Sequence, residues 1–328
     1  MAELKTSFMG IELSSPVVVG ACSISKMVDS IKKAEDAGAG ALVIKSLFQE
    51  QIELETQELD EALDVESEQF AEALTYFPKM ESSGPREHVM WVEKTRKAVQ
   101  FPIFGSLNAT SMGKWVEYAK QLESAGVNGL ELNLYSVETD LARNADGIEK
   151  RALDVVAGVK SEVKIPVAVK LSPWYTSVAN FAHRVVDAGA DGLVLFNRFY
   201  QPDIDPEEEA IRVDLDLSRP EDTRLPLRWI AILSGAIQVD LAATTGVHSG
   251  RDVIKHLLAG AKVAQCVSTL YKDGTDHVTR MNREMSDWMD ARGYKSVEDF
   301  RGKLNQAQVS DPSAYERSQY IRLLFSHD

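Results

Sequence analysis

Four times along the chain an amphipathic stretch runs into Ala-Gly and gives way, within a few residues, to a short apolar run. The segments are Ala37-Gly38-Ala39-Gly40-Ala41-Leu42-Val43, Ala125-Gly126-Val127-Asn128-Gly129-Leu130-Glu131, Ala188-Gly189-Ala190-Asp191-Gly192-Leu193-Val194 and Ala259-Gly260-Ala261-Lys262-Val263. Glycine accepts the left-handed conformation that closes a helix, so each Ala-Gly marks a helix C-terminus. The run behind it is too short for a second helix and apolar enough for a strand buried in a parallel sheet. Two more runs open on proline, Phe101-Pro102-Ile103-Phe104-Gly105-Ser106 and Ile165-Pro166-Val167-Ala168-Val169-Lys170; proline is tolerated at a strand's first residue. With Pro16–Gly20 and Asp240–Thr244 the pattern predicts eight strands, beginning near residues 16, 41, 102, 129, 166, 192, 239 and 263. Leu227–Leu233 competes for the seventh place and reads as the preceding helix. Eight βα units predict an α/β fold, a (β/α)8 TIM barrel forming one domain over 1–328, with a doubly wound open sheet as the competing arrangement.

Two intervals are too long for a plain βα unit. Insertions are expected after strand two, from Ser46 to about Arg86, and after strand six, over Arg198–Pro226, where turn signals abound and periodicity is weak. Asp276–Ala291 reads as the closing helix, and Ser296-Val297-Glu298-Asp299 as the N-cap of a short C-terminal helical appendage. Charge sharpens the first insertion: of a net −14, nine acidic residues fall within Glu50–Glu68, which has no Lys or Arg and reads as a solvated helix or lid surface. The acidic balance argues against nucleic acid or an anionic membrane as partner. Two cysteines, Cys22 and Cys266, exclude a disulfide scaffold and suit a reducing compartment. Neither a signal peptide nor a membrane-spanning run is visible, so a soluble cytoplasmic protein is expected.

In a barrel of this kind chemistry sits at the C-terminal ends of the strands. Those ends read Gly20-Ala21-Cys22, Lys45-Ser46, Ser106 and Asn108, Asn133, Lys170, Asn197, Thr245-Gly246 and Ser268-Thr269. A buried lysine is costly unless an anion accompanies it. One such lysine could simply bridge to a carboxylate; Lys45 and Lys170 converging with three asparagines point to a bound polar, electron-rich ligand. The loops after strands seven and eight combine Gly, small hydroxyl residues and a helix start at Ser249-Gly250-Arg251-Asp252 leading into Val253–Ala259, the make-up of a phosphate cradle. The six histidines, His88, His183, His248, His256, His277 and His327, show no zinc spacing, and no metal site is expected. Cys22 reads as a small buried hydrophobe.

Taken in order, these motifs resemble the FMN-dependent dihydroorotate dehydrogenases. The resemblance is carried by Phe8-Met9-Gly10-Ile11-Glu12-Leu13-Ser14-Ser15-Pro16-Val17, Val43-Ile44-Lys45-Ser46, Glu131-Leu132-Asn133, Val169-Lys170-Leu171-Ser172-Pro173, Thr245-Gly246-Val247 and Gly293–Gly302. It is nearer to the cytosolic class 1 branch, which implies a homodimer. It also implies that Gly20, Ala21 and Cys22 lie along the flavin ring, with Lys45 reaching flavin and substrate. Asn108, Asn133 and Lys170 would surround the ring, and Asn197 would stand at the flavin–substrate boundary. Thr245, Gly246, Ser268 and Thr269 would hold the ribityl phosphate.

The substrate half departs from the family. After Asn133 the loop reads Leu134-Tyr135-Ser136-Val137-Glu138, placing Ser136 at the position of the family's Cys or Ser base. Serine needs a proton relay or an adjacent acceptor to act as a base. Glu138 replaces the substrate-binding Asn of that loop, and no Asn occurs between Ser46 and Leu107. The expectation is therefore an FMN-dependent oxidoreductase oxidising (S)-dihydroorotate, with a soluble acceptor such as fumarate. Two alternatives stay open. One is the same flavin site acting on another cyclic amide or an enoate; the other is a flavin-free barrel, a lyase using Lys170 or a phosphometabolite binder.

Overall fold

Each Ala-Gly pair closes a helix: Gly38, Gly126, Gly189 and Gly260 have φ of 86°, 88°, 107° and 115°. The computed structural model describes residues 2–48, 83–109, 111–199, 201–212 and 216–325. Its parallel strands are β1 (Val17–Val19), β2 (Ala41–Phe48), β3 (Ile103–Asn108), β4 (Gly129–Asn133), β5 (Val167–Leu171), β6 (Gly192–Leu195), β7 (Asp240–Ala243) and β8 (Val263–Cys266). They pair in sequence order, and β8 returns to β1, closing a barrel. Each begins within one residue of its sequence-predicted start, and the open-sheet alternative is excluded. Helices α1 (Val28–Asp36), α2 (Ser83–Ala98), α3 (Met112–Ser124), α4 (Ala145–Glu162), α5 (Val178–Asp187), α6 (Arg224–Leu233) and α7 (Gly250–Ala259) fill the connections. They are followed by α8 (Ser268–Asp273), α9 (His277–Arg292) and α10 (Ser318–Phe325).

Residues of the strands divide between two cores. Val17, Leu42, Ile103, Leu130, Val167 and Leu193 face outward and pack under the helices, while Val18, Val43, Phe104, Ala168, Val194 and Ala242 fill the barrel interior. The inner core continues into a hairpin that the sequence pattern did not reveal, Thr6–Phe8 against Ile11–Leu13. Phe8 packs edge-on against Phe104, with centroids 6.0 Å apart, and Met9 N donates to Asp240 Oδ2 at 2.7 Å. The hairpin plugs the N-terminal end, leaving the other end for ligand.

Of the two expected insertions, only the second falls mainly on described residues. The acidic stretch Glu50–Glu68 lies outside the described residues. Over 198–226 the chain is more regular than its periodicity suggests. It forms the antiparallel pair Asp203–Asp205 and Ala210–Arg212, then a 3-10 turn, Pro220–Thr223. Helix α6 starts two residues before Pro226, a position where proline costs no helix hydrogen bond. In the appendage Ser296 and Asp299 cap a single 3-10 turn. No helix among the described residues is long and apolar enough to cross a membrane.

The Pro220–Thr223 turn is anchored by the buried His256, whose Nε2 lies 2.7 Å from Thr223 Oγ1. Burial pushes its pKa down to about 4. Since the unfolded chain binds this proton near pH 6.5, stability is fully present above that pH and falls as pH drops toward 4, by on the order of 3 kcal/mol. Urea denaturation at pH 7 and pH 4.5 should show a larger loss for the wild type than for His256→Gln. Equal losses would contradict the burial argument.

Candidate functional site

Where the strands end, a cavity of about 510 Å3 opens, within the ~300–1,000 Å3 typical of cofactor sites. Its wall includes Ala21 and Cys22 after β1, Lys45 on β2, Asn133 on β4, Lys170 on β5, Asn197 after β6, Thr245 and Gly246 after β7, and Ser268 on α8. Most of the strand-end residues singled out from sequence therefore meet in one place.

Local hydrogen bonds fix this wall. Ser25 Oγ donates to Cys22 O at 2.9 Å and accepts from Lys45 N at 2.8 Å, tying the β1 loop to β2. Trp91 Nε1 on α2 donates to Ser25 O at 2.9 Å. Ser46 and Ser106 hydroxyls meet at 2.6 Å, joining β2 and β3 two residues before each strand ends. Asn197 Nδ2 donates to Lys170 O at 3.3 Å. After β7 both Thr245 and Gly246 have φ of 75°, and this double left-handed step turns the backbone across the cavity.

Four of the sequence-predicted residues stand apart from the wall. Gly20 lies behind it, its N–H bonded to Cys266 O at 3.1 Å. Asn108 is buried and shapes the β4 loop, donating from Nδ2 to Asn133 O at 2.6 Å and Tyr135 O at 3.4 Å. Thr269 Oγ1 turns to Asp273 Oδ2, 3.1 Å away. Ser136 is exposed and outside the wall. The Ser249 helix start also differs from its reading. Helix α7 begins at Gly250, the Asp252 carboxylate accepts from His248 N and Ser249 N, and Gly250 N donates to Glu284 Oε2 at 2.9 Å. Carboxylates thus occupy that helix start. The small-residue wall that remains is Thr245, Gly246 and Ser268, where α8 begins; a helix's first N–H groups have no partner within the helix.

Other wall residues were missed from sequence: Tyr135, Arg198, Asp216, Ser218, Gln265 and Tyr271. Gln265 carried a signal, being polar inside the apolar run Val263–Cys266, as did Glu131 inside β4. Glu131 and Gln265 are both buried, Gln265 Nε2 donating to Glu131 Oε2 at 2.6 Å. Lys170 Nζ reaches Glu131 Oε1 at 3.3 Å. Arg198 pairs with Asp216 at 3.2 Å. Tyr135 packs on Phe199 with centroids 4.9 Å apart, and Phe199 packs on Trp174.

The electrostatics suit an electron-rich ligand. Lys26, Lys45, Lys170 and Arg198 line the cavity of a chain whose net charge is −14. Lys45 adds to burial in holding His88 down to about pKa 4, while burial raises the Cys22 thiol despite the nearby Lys170. Glu138, whose charge would repel a carboxylate substrate, is held by Arg143 on the loop at 2.9 Å and by Arg151 on α4, so its charge is met within the protein. Among the described residues, Asn133 Oδ1 and Gln265 Oε1 are buried without a hydrogen-bond partner. One such acceptor beside an ammonium fits the pyrimidine edge of a flavin, which presents a single N–H between carbonyls.

Comparison with known proteins agrees with this geometry. The family described as dihydroorotate dehydrogenase matches residues 3–289. Dihydroorotate dehydrogenase B (NAD(+)), catalytic subunit, of Methanocaldococcus jannaschii is 28% identical over 287 residues, covering 83% of this chain and 89% of that protein. The protein of the same description from Thermoplasma volcanium is 26% identical over 310 residues, covering 92% and 98%. Dihydroorotate dehydrogenase (fumarate) of Lachancea kluyveri is 27% identical over 227 residues, covering 62% and 68%. A family match over most of the chain, on a closed eight-stranded barrel, establishes that the chain belongs to the dihydroorotate dehydrogenase family and is an oxidoreductase of that family.

Proposed function

We propose that the chain binds FMN at the barrel mouth and oxidises (S)-dihydroorotate or a closely related cyclic amide, passing electrons to a small soluble acceptor of the fumarate or nicotinamide kind. The observation that carries this reading is the single cavity that gathers Lys45, Lys170, Asn133, Asn197 and the Thr245–Gly246 turn. When bound, the flavin supplies a two-electron acceptor for hydride from a substrate carbon.

The residues divide the remaining work. Lys170 offers fixed positive charge to the pyrimidine edge of the ring, which strengthens where charge builds up in a site that excludes water. Asn133 meets the ring from the end of β4, and Asn108 keeps the β4 loop in register behind it. Thr245, Gly246 and Ser268 hold the phosphate through backbone N–H groups and hydroxyls. Arg198, already paired with Asp216, and Lys45 bring positive charge to the cavity for a substrate carboxylate. Ser136 is the candidate base: brought from its exposed position onto bound substrate, it would pass the substrate proton on to solvent, the relay a serine needs.

Visible spectroscopy of the purified protein tests the cofactor: flavin bands are expected, and a colourless protein that FMN does not reconstitute would end this reading. Anaerobic dihydroorotate should then bleach the bands. Bleaching should slow at least about a hundredfold in Ser136→Ala, the low end of what a lost acid–base group costs, with FMN retained. The same loss in Tyr135→Phe, with Ser136→Ala unaffected, would move the proton to the hydroxyl already in the wall. For the lyase alternative, borohydride trapping of substrate on Lys170 is the decisive assay. Lys170 Nζ is engaged by Glu131 instead of standing free as a nucleophile.

A further inference from the structure

A carboxylate accepts hydrogen bonds and cannot give them, and this decides which end of a neighbouring amide faces it. Glu131 Oε2 lies 2.6 Å from the Gln265 side-chain nitrogen, so the amide NH2 points into the barrel and Oε1 is left on the other side. That oxygen is buried without a partner, and Gln265 lines the mouth cavity. A Cβ built on Gly20 at the end of β1 would stand 3.5 Å from it, so the oxygen sits beside that glycine, where the wall that Gln265 lines backs onto β1. The other carboxylate oxygen takes Lys170 Nζ at 3.3 Å. Three strands, β4, β5 and β8, are thus tied through one buried acid.

We propose that Glu131 is a positioning residue that sets the polarity of the cavity floor. By holding the Gln265 amide and the Lys170 ammonium together, it presents one acceptor and one cationic donor side by side. That pair recognises an imide or ureide edge, an N–H next to a carbonyl that gathers negative charge. The inference rests on the flavin reading above and deepens it: Gln265 Oε1 accepts from the imide N–H of the ring. Nothing in the order of the sequence foretells this, because Glu131 and Gln265 are 134 residues apart. An unfilled acceptor at this depth is costly, and a bound N–H removes the cost.

The test compares FMN with 3-methyl-FMN, in which that N–H is blocked, by fluorescence titration of the apoprotein. The wild type should bind the methylated flavin roughly tenfold more weakly, the value of about one buried hydrogen bond. Gln265→Leu should bind both alike. Glu131→Gln, which lets the amide turn over, should lose most of the discrimination, and the midpoint potential of its bound flavin should become more positive as a negative charge leaves the floor. A Glu131 that only supports the fold would lower melting temperature without moving that potential. Equal wild-type affinity for the two flavins overturns the proposal whatever the variants do, and so does full discrimination in Glu131→Gln. A wild type that binds neither flavin removes the FMN reading itself, a distinguishable result.

Discussion

Gly246→Ala is expected to destabilise the protein by about 2–4 kcal/mol and to empty the cofactor site, combining left-handed strain with overpacking. Gly246 has φ of 75°, and a Cβ there would lie 2.3 Å from Thr223 N and 2.9 Å from Asp222 C. Those atoms are backbone of the turn Pro220–Thr223, pinned through Thr223 to His256, so no flexible side-chain end can yield. The control is Gly10→Ala. Gly10 has almost the same φ, 76°, yet nothing lies within 4 Å of its Cβ. It should lose only the conformational share, roughly 1–2 kcal/mol. Chemical denaturation of both, with FMN titration of each, separates backbone strain from crowding. Equal destabilisation, or normal FMN affinity in Gly246→Ala, would show that the turn after β7 gives way freely and does not shape the cradle.

What was legible in the sequence follows from where the information is local. Each Ala-Gly pair is read within one helical turn, and each buried strand within five residues, so the eight βα units emerge with strand starts correct to one residue. Strand ends are nearly as local, which is why Asn133, Lys170 and Asn197 could be assigned to one rim; Lys45 reaches it from within β2, which runs on to Phe48. Direction beyond the rim is another matter. Asn108 ends β3 as expected, yet its side chain turns to the β4 loop, and Thr269 turns to Asp273. Ser136 follows its neighbour Tyr135 by one residue and lies exposed while Tyr135 lines the cavity. No periodicity governs such loops. The N-terminal hairpin was missed because its strands are three residues each, too short to show alternation. Gln265 was missed because its meaning comes from a partner on a different strand.

Lys170→Met should have the largest effect on chemistry, slowing dihydroorotate-dependent bleaching of bound flavin by roughly 10²–10³-fold, the usual cost of losing one charge-stabilising donor. The same change exposes a second role. Its partner Glu131 has a side chain only 3% exposed, and Lys170 supplies the positive charge beside it. Removing the lysine strands that carboxylate, and breaking a buried pair from one side costs about 3–5 kcal/mol. A lone buried carboxyl holds its proton to higher pH than it does in the unfolded chain, so the folded variant binds more protons. Stability of Lys170→Met should therefore fall as pH rises above the ordinary glutamate range, and its deficit against wild type should be greater at pH 7 than at pH 5. Adding Glu131→Gln to Lys170→Met removes the stranded charge and should restore much of the stability at pH 7, while bleaching stays slow. That split separates the two functions of one lysine. A Lys170→Met variant that bleaches at the wild-type rate would take Lys170 out of the reacting site, and a deficit independent of pH would show that Glu131 finds another partner.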